Sequence, residues 1–254
     1  SFKNEEKNLK ELVIRTAKAF KELNSYSYEL IFVNDNSDDN SENTLIKLQN
    51  DYPITIINMS RTFGVAPCVL AGFKHAKGDA VIYMDSDLQD PPELIKELIT
   101  EYAKGFDIVH SIRTKRLGES KIKLFVTNLA YKIINFFSDI PLPINAGDFK
   151  LISRRAINKI LELKEFRPYI RGLSVWVGFR QSKIYNVREA RGSGETQFPF
   201  LSAGPINEFI TGLTSYSIKP LYVGVILGFF SILISIFLII HTLYAKFNNI
   251  TALG

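Results

Sequence analysis

Two carboxylates one residue apart, Asp85 and Asp87, follow the apolar run Ala80-Val81-Ile82-Tyr83-Met84 and precede Leu88-Gln89-Asp90-Pro91-Pro92. At the C-terminal end of a buried strand, such a pair suits a hard divalent cation. Mg²⁺ in particular binds through one or two carboxylates together with the phosphates of a substrate. Loops at the carboxyl ends of strands in open α/β sheets are also where ligands sit. The spacing points to a metal-bridged diphosphate. The same residues also suit an ordinary loop and helix start, with Asp90 as cap ahead of Pro91-Pro92. The pattern alone leaves both readings open.

The elements that would position this pair follow from periodicity. Leu9, Leu12, Val13, Thr16, Ala17, Phe20 and Leu23 share one helical face, which predicts a helix from Asn4, as its cap, to about Leu23. A strand is expected at Glu29–Val33, then the polar loop Asn34–Asp39 and a helix over Ser41–Asn50. A strand at Ile54–Asn58 and a helix from about Pro67 to Lys77 lead to the strand Ala80–Met84. A helix at Pro92–Lys104 and a strand at Asp107–Ser111 follow. Strands alternating with helices imply βαβ units and a mostly parallel sheet. In such a sheet Asp35, Asp85, Asp87 and Arg113 all open on one edge. Asp35 is either a partner for a nucleotide base or ribose, or a capping residue of its own loop.

After Ser111 the pattern changes. Lys121–Phe137 places Ile122, Phe125, Val126, Leu129, Ile133, Phe136 and Phe137 on one face, with lysines elsewhere. That describes a helix lying in a membrane interface or one packed on the sheet, and the nearby apolar segment favours the interface. Ile206–Ser217, with Phe209, Ile210, Leu213 and Tyr216, is a second such stretch. From Pro220 through Ala245 no residue is charged. This exceeds the roughly 20 residues that cross a bilayer core. Lys219 and Lys246 flank the span on both sides, so charge gives no orientation.

With 254 residues, 46% of them apolar, the chain can bury a full core. A single cysteine, Cys68, excludes an internal disulfide. A net charge of +5 favours anionic partners without any nucleic-acid-binding signature.

Several segments then occur in a telling order. They are Val33-Asn34-Asp35-Asn36-Ser37, Ser60-Arg61-Thr62-Phe63-Gly64, Asp85 through Glu93, and Ala146-Gly147-Asp148-Phe149-Lys150-Leu151. Arg171-Gly172-Leu173, Trp176-Val177-Gly178-Phe179, Gly194-Glu195-Thr196 and the apolar span continue the series. Together they resemble glycosyltransferase family 2, in its polyisoprenyl-phosphate branch of bactoprenol glucosyltransferases and dolichol-phosphate mannose synthases. The resemblance implies a GT-A fold, a nucleotide-diphosphate sugar donor, a Mg²⁺ or Mn²⁺ ion and a polyisoprenyl phosphate acceptor. By motif position it implies Asp87, Gln89 and Asp85 at the metal, with Asp35, Asp85, Arg61 and Arg191 on the nucleotide sugar. It further implies Arg171 and Arg191 at the acceptor phosphate, and Asp148, Asp87 and Arg113 at the reacting centre. Arg113, Arg171 and Arg191 also suit ordinary ion pairs.

The expected organisation is a GT-A domain over residues 1–200, a juxtamembrane amphipathic segment over 201–219, a transmembrane helix over 220–245, and a loop over 246–254 toward a second helix. The protein is expected in the inner cell membrane, its catalytic domain facing the cytoplasm, and a homo-oligomer is compatible with it. Two departures stand out. Gln197 replaces the lysine that usually follows Gly-Glu-Ser/Thr, and the family's first strand would have to precede Phe2. UDP-glucose is the first expectation for the donor, with GDP-mannose as the alternative. Readings of another class are an aspartyl-phosphate phosphatase, which also opens on Asp-x-Asp, and an inactive membrane scaffold.

Overall fold

The computed structural model describes residues 1–23, 25–116, 121–143, 145–165, 168–188 and 203–248. The first half is the expected alternation: α1 (Glu6–Lys21), β1 (Leu30–Asn34), α2 (Ser41–Leu48), β2 (Ile54–Asn58), α3 (Val65–His75) and β3 (Ala80–Tyr83). A 3₁₀ turn at Pro92–Leu94 leads into α4 (Ile95–Ala103), and β4 (Ile108–Arg116) runs beyond the strand expected from its pattern. The second half holds α5 (Lys121–Phe137), β5 (Ala146–Ser153), α6 (Arg154–Glu162), α7 (Ile170–Trp176), β6 (Gln181–Arg188), α8 (Ala203–Thr214) and α9 (Lys219–Phe247).

The start of α1 differs from expectation. Asn4 lies at φ 56°, outside the helix, and its side chain accepts from the Asp38 backbone instead. The orphan amide of Glu6 is satisfied from another loop, by Asp39, whose other oxygen accepts from the Ser41 amide. One carboxylate therefore serves the first turns of two helices, where the dipole favours negative charge. Ser41 returns the link by accepting from the Glu5 amide.

β1 and β2 form a parallel pair. A separate four-stranded sheet has the order β3-β5-β4-β6. β5 is antiparallel to both neighbours, while β4 and β6 are parallel. β3, β4 and β6 therefore run the same way, and β5 is the strand that breaks the parallel order. No hydrogen-bonded pairing joins β1 to β3. Between them lies a cavity of about 830 Å³, lined on one side by Leu30, Phe32 and Val33 and on the other by Ala80 and Ile82. Ser1 lines this cavity, and the next residue, Phe2, bridges to β1: its amide donates to Val33 and its carbonyl accepts from Asp35, each at 2.9 Å.

Helices cover both faces of the four-stranded sheet. On one face Ile95, Leu98 and Ile99 of α4 meet Val109, Phe149, Leu151 and Ile184. On the other Ile152 and Tyr83 meet Ile157, Ile160, Leu173 and the α3 residues Val69 and Phe73. A third cluster joins α1 and α2 to β1 and β2. α5 buries Ile134 but leaves Phe125, Val126, Leu129 and Phe136 exposed, and α8 likewise exposes Ile206 and Ile210. α9 has 29 residues, a mean hydropathy of 2.9 in its most apolar window and nothing buried there, so it is long and apolar enough to cross a membrane.

Leu98 is fully buried whereas Ile46 on α2 is 48% exposed. Leu98→Ala is expected to cost about 2–5 kcal/mol by loss of transfer energy and cavity formation. Ile46→Ala is expected to stay within about 0.5 kcal/mol. Urea unfolding of the detergent-solubilised protein, followed by tryptophan-independent circular dichroism, measures both.

Candidate active site

The site forms at the edge where β3 and β4 end and β5 begins. The β3–β5 register pairs Tyr83 with Lys150. Carried two residues further, it sets Asp85 opposite Asp148. Because β5 runs antiparallel, Asp148 near its start reaches the same edge as the residues after β3. Arg113, late in β4, arrives beside them, its amide donating to the Asn145 carbonyl.

Burial is the largest influence on Asp85 and pushes its pKa up, to about 7. Asp148, Asp87 and Asp90 add to the rise and Arg113 opposes it. This is the electrostatic signature of carboxylates crowded in a poorly solvated place. The turn carrying them is strained: Leu88 adopts φ 59° and is held there by burial of its side chain among the α1–α2 cluster. The Gln89 amide donates to Asp87 at 3.2 Å, closing the turn.

Two ion pairs, one buried and one partly buried, balance the crowding. Arg113 donates to Asp90 at 2.9 Å with both side chains buried. Asp90 is thus not the helix cap that the flanking prolines suggest, since the 3₁₀ turn has no side-chain cap and its N-cap position is Pro91. Asn186 on β6 also donates to Asp90. Gly147 makes room for this arrangement, because a Cβ there would lie 2.7 Å from the Arg113 guanidinium carbon. Arg171 of α7 forms the second pair, bidentate with Asp148, its Nε at 2.9 Å, and its Nη1 donates to Tyr131 of α5 at 3.1 Å. Burial alone would raise the Asp148 pKa, but Arg171 holds it well below the usual carboxylate range.

Asp35 lies apart from this cluster, at the end of β1. Both its oxygens are engaged, by the amides of Phe63 at 2.7 Å and Gly64 at 2.9 Å. The structure thus gives it the loop-capping part of the two readings, and the Cys68 thiol is a further hydrogen-bond partner. Arg61 is exposed on the β2–α3 loop that supplies those amides, stacked over the Phe63 ring at 4.0 Å. Arg191 and Gln197 lie outside the described residues.

Sequence reasoning passed over two members of the site. Lys150 is fully buried, and its Nζ has no hydrogen-bond partner among the described residues. Tyr131, the second partner of Arg171, sits on a helix read for its apolar face. No group of three or more His, Cys, Asp or Glu side chains disposed around one ion position is found among the described residues. A cation here would draw on Asp85, Asp87 and Gln89 together with substrate oxygens, a donor set that suits Mg²⁺ or Mn²⁺. The excess of carboxylates that raises Asp85 fits such a cation.

Asp90→Ala leaves Arg113 buried without its partner. The expected loss of stability is about 3–5 kcal/mol, whereas Asp90→Asn retains a hydrogen-bond acceptor and loses less. Chemical unfolding of the two variants side by side checks the order.

The fold matches solved glycosyltransferases. Glucosyl-3-phosphoglycerate synthase from Mycobacterium tuberculosis, solved with Mn²⁺, uridine-diphosphate-glucose and phosphoglyceric acid, aligns with a TM-score of 0.53 at 17% identity, over 84% of this chain and 76% of that one. Among curated proteins, a glycosyltransferase of Synechocystis is 39% identical over 94% of this chain and 76% of its own length. The bactoprenol glucosyl transferase of Shigella phage SfV is 35% identical over 90% of this chain and 76% of its own length. The family described as glycosyl transferase family 2 matches residues 1–161. Aspartyl-phosphate chemistry and an inactive scaffold are thereby set aside in favour of an enzyme with a GT-A domain: this chain belongs to glycosyl transferase family 2.

Proposed function

We propose that this glycosyltransferase moves a hexose, glucose from UDP-glucose in the first instance, onto a polyisoprenyl phosphate at a membrane surface. The observation that carries the reading is the pairing of the carboxylate-rich edge with the 29-residue apolar α9 in one chain. Relatives named as bactoprenol glucosyl transferases support the donor and acceptor, and the synthase solved with Mn²⁺ and UDP-glucose supports a divalent metal.

In this reading Asp85, Asp87 and Gln89 hold the metal, which neutralises charge on the leaving nucleoside diphosphate. Asp35 and the exposed Arg61 border the nucleotide, and motif position assigns Arg191 to the phosphates. Asp148 is kept ionised by Arg171, so it orients that guanidinium rather than collecting a proton. No base is needed, because the acceptor phosphate is already an anion. Arg171 turns toward it, arginine being suited to bind phosphate oxygens through two parallel donors. Attack of a phosphate oxygen on the anomeric carbon, in line with the departing diphosphate, inverts that centre. The exposed apolar residues of α5 and α8 lie in the membrane interface and α9 crosses the membrane, with the domain on the cytoplasmic side.

Radiolabelled UDP-glucose and GDP-mannose, each incubated with Mn²⁺ and undecaprenyl phosphate, test the reading. Label should enter the lipid fraction from UDP-glucose, and no label from either donor would sink it. Asp87→Ala should lower transfer about 10³-fold, given the several kcal/mol of charge stabilisation a metal supplies.

The pH dependence has a defined sign. Asp85 must be deprotonated to ligate, and its pKa lies at about 7 in the metal-free site. Metal-dependent UDP binding should therefore weaken as pH falls below that value, by about tenfold per unit for one displaced proton. Without metal the raised pKa works the other way on folding: its contribution favours the fold at acid pH and is lost as pH rises through about 7. Calorimetric titration of UDP with and without Mn²⁺ between pH 5 and pH 8, on the order of those limits, reads the first effect.

A further inference from the structure

We propose that Tyr216 is a positioning residue: its ring, seated on Gly172, sets Arg171 against Asp148 and ties the approach to the apolar span to the site. Tyr216 lies between α8 and α9, in a stretch whose neighbours are half-buried or exposed, yet it is only 8% exposed and belongs to the core cluster beneath β5. Its seat is specific. A Cβ on Gly172 would lie 2.0 Å from Tyr216 Cε2, 2.7 Å from Cζ and 2.8 Å from Cδ2. The ring thus occupies the space that a side chain at position 172 would need, in contact with the backbone next to Arg171.

Other contacts hold the ring there. Its hydroxyl donates to the Tyr169 carbonyl at 3.4 Å, and its own carbonyl accepts from the Asp139 amide at 3.0 Å. Asp139 follows α5, the helix that supplies Tyr131 to Arg171, and it also pairs with Lys219 at the start of α9 at 2.8 Å. Gly212 on α8 lets that helix close on Ile134 and Tyr169. Arg171 is therefore gripped on its guanidinium by Asp148 and Tyr131 and on its backbone side by Tyr216. Tyr131 and Tyr216 come from elements tied to the start of the span through Asp139, whereas Asp148 comes from β5. Tyr216 touches no reacting atom, and it acts through Arg171.

The kinetic consequence rests on the reading of Arg171 as the acceptor-phosphate cation, so the test has one readout that does not. Phenylglyoxal modifies accessible guanidinium groups, and mass spectrometry of the whole protein's digest follows Arg171. Tyr216→Leu and Gly172→Ala should each label Arg171 about tenfold faster than the parent, and Tyr216→Phe, which keeps the ring, should restore parental protection. In the transfer assay the first two variants should raise KM for undecaprenyl phosphate about tenfold, as displacements on the order of 1 Å do, with UDP affinity unchanged. Where Tyr216→Leu does not fold by circular dichroism, Tyr216→Met replaces it in both assays. Parental labelling of Arg171 in both ring-displacing variants overturns the proposal. Faster labelling with an unchanged lipid KM keeps Tyr216 as a support for the placement of Arg171 but overturns its role in positioning for the reaction. A parent protein that never transfers to lipid defeats the acceptor reading alone, and the labelling result then decides the placement of Arg171.

Discussion

Everything at this site depends on placing carboxylates closer together, and deeper, than they would choose. Asp85 and Asp148 face each other across two strands, and Asp87 and Asp90 press on the same region. Buried like charges are tolerated only when counter-charges are fixed nearby. Here Arg113 takes Asp90 and Arg171 takes Asp148. A buried pair of this kind adds little net stability over an apolar pair of similar volume. Its presence is better explained by the arrangement it imposes: Asp90 and Asp148 hold two arginines still beside Asp85 and Asp87.

The reversal of β5 is what makes that distribution available. If the strand ran parallel to its neighbours, Asp148 would lie at the far edge of the sheet, some 15–20 Å away at about 3.3 Å per residue. Running antiparallel, it delivers Gly147 and Asp148 to the edge where β3 and β4 end. Gly147 then clears the space into which the Arg113 guanidinium fits, so one short segment supplies both the partner of Arg171 and the socket for Arg113.

How much of this was legible in the sequence varied with the range of the interactions. The alternation from α1 to β4 was readable because each element buries one face, and that writes a period into its residues. The termini were less so. Asn4 looked like the cap of α1, but Asp39, more than thirty residues away, does that work, and Asp90 looked like a cap while serving as the counter-ion of Arg113. Local patterns cannot reveal a partner that arrives through tertiary structure. β5 was missed as an element because it is buried on both faces, so its polar residues, Asp148 and Lys150, do not mark a solvent side. Of the candidate residues, Asp85, Asp148, Arg113 and Arg171 converge, and Asp35 and Arg61 lie on two adjoining loops, after β1 and after β2.

Lys150 shows why a charged residue in a buried strand is hard to read. It lies in a row across the sheet, paired in register with Tyr83 on one side and His110 on the other. Burial pushes its pKa down to about 8, while Asp148 and Asp85 resist the fall, so at neutral pH the amine remains largely an ammonium. His110 answers in the opposite sense. Its own burial, then the cation beside it, push it down to about 4, and it stays neutral with Gln181 on Nε2. The row thus carries one positive charge rather than two, directed at the carboxylate edge. An apolar residue at position 150 would relieve the desolvation and unbalance the edge by one charge, leaving Asp85 to rise further. The cost of burying that amine is therefore linked to the ionisation of the pair on which the site opens.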